Sequence, residues 1–145
     1  MIIEVDADYQ GLLSKLIEKR DEAPNKLAEV VNESAFEGQA IVIGNAPIKE
    51  GTLRGSHRVE SRGLLERIIF PDQGVAPHAL FVILGTKPHT IKGKPYLSWK
   101  GAKHPVKKVN HPGTKPNDYM KKSIPAIKTR IESNLQTFTD WLKQW

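Results

Sequence analysis

Residues 103–120 read KHPVKKVNHPGTKPNDYM, with four lysines, two histidines and three prolines, and no acid before Asp118. Proline lacks an amide donor and clashes with the preceding helical turn, so no regular helix runs through this stretch. Pro112 and Gly113 suit positions i+1 and i+2 of a type II turn, because proline presets φ and glycine tolerates positive φ. Directly beyond, Met120, Ile124, Ile127, Ile131, Leu135, Phe138, Leu142 and Trp145 recur at intervals of three and four. That spacing predicts a long C-terminal helix with one buried apolar stripe. Ser123-Ile124-Pro125 predicts that the main helix starts there, or that an earlier turn is kinked there.

Upstream of this boundary the pattern is strand and turn. VKKVN (residues 106–110) reads as a short strand, and TIKGKPYLSW (residues 90–99) as a hairpin turning around Lys92-Gly93-Lys94. HALFVILGT (residues 78–86) is a continuous apolar run too short to decide between a buried strand and a short helix. SHRVES and LERIIF, separated by a turn at Gly63, predict an antiparallel hairpin. Further back, residues 2–5 suggest a short strand. Tyr9, Leu12, Leu13, Leu16 and Ile17 then predict a first helix capped by Asp6 or Asp8. A second is signalled by Leu27, Val30, Val31, Ile41 and Val42, with small Ser34 and Gly38 where a neighbour approaches closely. Asp21 would cap it, Pro24 would sit in its first turn, and it should end near Gly44, before Ala46-Pro47. The expected fold is α+β over residues 1–145 as one domain: two N-terminal helices and a long C-terminal helix packed on a small, mainly antiparallel sheet with a long basic loop or hairpin.

Composition narrows the class. The 145 residues are 39% hydrophobic and 26% charged, as in a globular protein. No apolar run approaches the roughly 20 residues that cross a bilayer, and the acidic start MIIEVDADY lacks the base of a signal peptide, which predicts a chain made in a cytosol without membrane contact. Zero cysteines exclude disulfides and thiolate chemistry. The net charge of +6 is localised: eight lysines and no acid lie between Gln73 and Asn117, which leaves the rest of the chain at −2. Lys87, Lys92, Lys94, Lys100, Lys103, Lys107, Lys108 and Lys115 thus form a local field for a partner.

Catalytic signals are missing. His78, His89, His104 and His111 fall in this cationic segment, without the carboxylate that a hydrolytic metal site recruits. There is no HExxH, GxSxG, Walker loop or GxGxxG. The glutamates on the predicted helices read as solvated faces, and Tyr96 and Trp99 as one packed face of a hairpin. The expectation is no enzyme, no metal and no cofactor.

Three segments carry a resemblance: APIKEGTLRGS (residues 46–56), HALFVILGT, and HPGTKPNDYM (residues 111–120). In order and wording they resemble the head-tail joining proteins of lambdoid long-tailed phages, also called neck, minor tail or tail-completion proteins. In that family an Ala-Pro ends a long helix, a Gly-x-Leu-Arg-x-Ser turn follows, and a His-Pro-Gly-Thr-x-Pro loop opens the last helix. The chain departs from the family wording at Glu50, His78 and Ile83. The resemblance implies a structural virion protein at the head-tail junction, assembled as a homo-oligomeric ring. Its neighbours would be a connector or stopper and a tail terminator or tail tube, with packaged DNA passing close by. Ala46, Pro47, Gly51, Leu53, Gly85, Thr86, Pro112, Gly113 and Thr114 would shape its turns. The partner-binding candidates are Arg54, Lys87, Lys92, Lys94, Lys103, Lys107, Lys108, His111 and Lys115. The alternative is a small basic nucleic-acid-binding protein.

Overall fold

A computed structural model describes residues 9–49 and 51–144. The strand at residues 2–5, the caps Asp6 and Asp8, and Trp145 lie outside them. In chain order the elements are α1 (Tyr9–Asn45), α2 (Thr52–Gly55), β1 (His57–Gly63), β2 (Glu66–Pro71), α3 (Ala79–Leu84), β3 (His89–Leu97), β4 (Val106–His111) and α4 (Tyr119–Lys143). The fold is α+β.

α1 is one helix of 37 residues where two were expected. Pro24 lies inside it. Its missing amide leaves the carbonyl four residues earlier without an intrahelical donor, but Pro24 is exposed and water can serve that carbonyl. Tertiary contacts hold the helix on both sides of the proline. On one side Lys19 donates to the Trp141 carbonyl at 2.5 Å, with its ammonium 4.7 Å from the Trp141 ring centre. On the other, Asn134 donates to Ser34 at 3.1 Å and to Glu37 at 2.9 Å. Asp21, expected as a cap, is instead a mid-helix residue bonded by Arg20 Nε at 2.8 Å. The helix ends at Asn45, as the Gly44 and Ala46-Pro47 signals predict.

α4 runs antiparallel to α1, with Asn45 against Ser123 at one end and Lys19 against Trp141 at the other. It begins at Tyr119, five residues before Ile124, with Pro125 tolerated in its second turn. Asp118 caps it, accepting from the Lys121 amide at 3.0 Å. The apolar stripe faces α1 but stays shallow: Ile131 and Leu135 each keep 39% of their surface exposed.

The strands form two separate two-stranded antiparallel sheets. β1 and β2 make the hairpin expected around Gly63, with a register shift between Ser61 and Gly63. It lies on α1 at Gly38, where an added Cβ would stand 3.0 Å from Ile69 Cδ1 and 3.4 Å from Ile127 Cγ2. That contact accounts for the glycine on the stripe. β3 and β4 form the second hairpin, paired from His89↔His111 to Leu97↔Val106. Its turn is not at Lys92-Gly93-Lys94, which lie within β3 at a register shift between Lys92 and Leu97. The chain reverses at residues 98–105. HALFVILGT resolves into α3 followed by Gly85.

The buried core is small: Val42, Ala46, Leu53, Ala76, Ala79 and Tyr119, with Ile69, Val82, Ile83, Met120 and Ile127 packed around it.

Candidate interaction site: a motif knot and a cationic arm

All three motifs converge on that core. Ala46 and Leu53 are buried in it, and Gly51, at φ 80°, turns the chain into α2. Arg54 sits where its guanidinium fork reaches back over the end of α1, with Nε donating to the Ala46 carbonyl at 2.9 Å and Nη2 to the Gly44 carbonyl at 3.0 Å. The Gly44 carbonyl is among the last four of α1, which have no intrahelical donor, and Ala46 directly follows the helix. Arg54 was expected to offer its fork to a neighbouring subunit; it closes on its own chain instead. Ser56 is buried as well, its hydroxyl donating to the Leu53 carbonyl at 2.7 Å.

The two Gly-Thr pairs meet face to face. Thr86 and Thr114 exchange both backbone N–H···O bonds at 3.0 Å, and their hydroxyls lie 3.1 Å apart. Gly85 and Gly113 have φ of 72° and 84°, and a Cβ on either would run into the carbonyl of the opposite threonine. Gly113 therefore has the positive φ expected after Pro112, but residues 112 and 113 form no hydrogen-bonded turn, because the Thr114 amide is taken by Thr86. The Asn117 amide donates to the Val82 carbonyl at 2.9 Å, tying the exit of the loop to α3. His111 was a partner-binding candidate. It is half-buried, its Nδ1 accepts from the Gly113 amide at 3.1 Å, and its ring lies 5.2 Å from that of His89. Its visible role is to hold the Gly113 amide.

Sequence reasoning missed the polar centre of the core. His57 and Tyr119 are each 1% exposed, and His57 Nε2 stands 2.9 Å from the Tyr119 hydroxyl. Nδ1 faces the Arg54 carbonyl at 3.2 Å, so Nδ1 carries the proton and Nε2 accepts from Tyr119. Burial holds the Tyr119 hydroxyl above its ordinary pKa, and the nearby charge of Asp118 adds to the shift. Nothing in periodicity marks this pair, 62 residues apart. The one local sign is that His57 directly follows the Arg54-Gly55-Ser56 turn.

The lysines stand apart from the knot. No residue from 80 to 118 is fully buried, so the β3–β4 hairpin is an arm with no core of its own. Lys87, Lys92, Lys94, Lys100, Lys103, Lys107, Lys108 and Lys115 are all exposed, and none forms an ion pair among the described residues. Tyr96 and Trp99, expected to pack on a hairpin face, are 57% and 53% exposed beside them. Lys92 and Lys108 are direct cross-strand partners. Like charges placed opposite each other weaken a strand pair unless an anion joins them. Where the arm meets α3, a groove of about 370 Å³ is lined by Phe81, Ile91, His89, His111 and Lys115 among others. Among the described residues no cluster of three or more His, Asp or Glu side chains is placed to hold a metal, and no helix is long and apolar enough to cross a membrane.

No family model matches the chain, and neither a curated protein nor a solved structure matches it.

Proposed function

We propose that this chain is a structural, non-catalytic subunit of a tailed-phage or prophage particle. In this reading it is made in the bacterial cytoplasm and placed at the head-tail junction, in a homo-oligomeric ring between the connector or stopper and the tail terminator or tail tube. The observation that carries the proposal is the division of labour within the motifs. The wording shared with the junction family builds a bonded knot, and that knot presents an acid-free arm with six exposed lysines, flanked by Lys87 and Lys115, none of which forms an ion pair among the described residues. A docking part gains from such preorganisation, since less entropy is lost when it meets its partner. The exposure of Phe36, Leu80, Phe81 and Leu84 fits a surface that other subunits cover.

The test is location. Antibody-gold labelling of intact particles, separated heads and separated tails should place the chain at the neck. Particles that carry it nowhere, or carry it along the tail shaft, would overturn the proposal.

The second reading is a nucleic-acid-binding protein, and the exposed Tyr96 and Trp99 among lysines favour it specifically, since aromatic rings in a basic groove stack on bases. It requires useful affinity for DNA near physiological salt with a steep salt dependence, whereas a junction subunit should lose DNA as salt rises.

A further inference from the structure

The arm lacks an anion, and α1 has a face on which glutamates outnumber lysines. Glu18, Glu22, Glu29 and Glu33 follow one another at intervals of four and seven, which puts them on one side of the helix. All four are exposed, and Phe36, next on the same stripe, is 61% exposed. Lys26 is the cation between Glu18 and Glu33 on this stripe; it bonds Glu29 at 2.8 Å and also feels the charge of Glu22. Glu18, Glu22 and Glu33 make no ion pair among the described residues, and no ion pair joins the arm to α1 within the molecule.

We propose that the arm docks on the acidic face of α1 in a second copy of this chain. Charge complementarity selects the occupant. The acid-free arm and the glutamate stripe are oppositely charged surfaces, and no ion pair joins them among the described residues. Their lengths agree: at about 3.3 Å per residue the strand β4, Val106–His111, reaches about 17 Å, and at 1.5 Å per residue Glu22 and Glu33 are also about 17 Å apart. Tyr96 and Trp99 beside the lysines, and Phe36 beside the glutamates, supply an apolar centre within a charged rim. An incoming carboxylate between Lys92 and Lys108 would also relieve their direct opposition across the arm. Arm and face are unlike surfaces, so each copy gives one and receives one. Such a contact is heterologous and closes into a ring or continues as a filament. The inference deepens the junction reading by naming the subunit contact, and rests on it for its purpose.

Three full-length variants test it: face-reversed (Glu22→Lys, Glu29→Lys, Glu33→Lys), arm-reversed (Lys92→Glu, Lys107→Glu, Lys108→Glu), and both sets combined. Sedimentation velocity at low ionic strength reads self-association, and thermal melts confirm folding. The wild type should associate, each single reversal should weaken association by at least tenfold, and the combined chain should recover it, as should a mixture of the two reversed chains. A wild type that stays monomeric, a face reversal without effect, or a combined chain that does not recover overturns the inference. So does an arm reversal that only abolishes retention on a short DNA duplex, because the arm's anion is then DNA. Should a reversed chain fail to fold, cysteine cross-linking decides, against a background of no native cysteine. A Lys108→Cys, Glu33→Cys chain treated with a bismaleimide should give a ladder of oligomers, while either cysteine alone should stop at dimers; no ladder sinks the contact. Localisation separates the two failures. Particles with the chain at the neck but indifferent to the reversals sink this contact alone; recovered association in a chain absent from particles sinks the junction reading alone.

Discussion

The His57 imidazole sits in the middle of the core with both ring nitrogens bonded, and the molecule tolerates so polar a group only because Arg54 and Tyr119 supply its partners. Tyr119→Phe keeps the ring and removes the hydroxyl, leaving Nε2 buried and unpaired. The expected loss is about 1–3 kcal/mol of unfolding free energy, measured by urea denaturation. The same hydroxyl gives a pH signature. Its pKa is raised in the folded state by burial and then by Asp118, so the native protein keeps a proton that the unfolded chain loses near pH 10. The stabilisation is complete below that value and is lost as pH rises through the folded pKa. Wild type should thus show an alkaline fall in melting temperature that Tyr119→Phe lacks. Gly113→Ala makes a second residue-scale test. With φ at 84° and the Thr86 carbonyl in the path of the new methyl, it should cost about 1–3 kcal/mol, seen as a lowered thermal midpoint.

Among the elements, α1 depends on a cap that comes from outside it. Arg54→Ala removes two charge-assisted bonds from the Gly44 and Ala46 carbonyls and should lose about 1.5–3 kcal/mol. Arg54→Lys should recover little, because one ammonium does not reproduce a planar fork reaching two acceptors. Hydrogen exchange should show lost protection in the last turn of α1 in both variants. The sequence foretells this element only in part. Its end is written locally, in Gly44 and Ala46-Pro47, and so are the β1–β2 turn at Gly63 and the positive φ at Gly113. What escapes is set by distant partners. α1 passes through Pro24 because Trp141 and Asn134 of α4 hold it on either side, and the acceptors of Arg54 lie eight and ten residues behind it. The turn of the second hairpin is fixed by the pairing of Lys92 with Lys108, so a locally plausible Lys-Gly-Lys turn falls inside a strand. The α4 stripe shows the limit of periodicity. Spacing tells which residues share a face, while the depth of burial depends on what lies opposite. Ile131 and Leu135 line a groove of about 370 Å³ with Val31 and Ala35 and stay partly exposed. From the stripe alone, Leu135→Asp would be expected to prevent folding. With this exposure it should lower stability by about 1–3 kcal/mol in denaturant titration and leave a folded chain.

At the scale of the whole molecule, stability and charge occupy different places: the knot and the α1–α4 contact hold the buried residues, and the arm holds six exposed lysines without an ion pair among the described residues. A change in the arm's charge should therefore alter docking without unfolding the body. Replacing Lys103, Lys107 and Lys108 by Glu moves the local charge by six units on side chains that are exposed and form no ion pair among the described residues. Exposed substitutions of this kind usually shift stability by less than about 0.5 kcal/mol, so the variant should melt close to wild type. Under the junction reading it should nevertheless fail in a complementation assay, leaving filled heads and free tails side by side in the micrograph. Normal joining by a folded variant would show that the arm is not the docking element. A variant that melts far below wild type would show that these lysines support the fold through groups the exposed hairpin does not reveal.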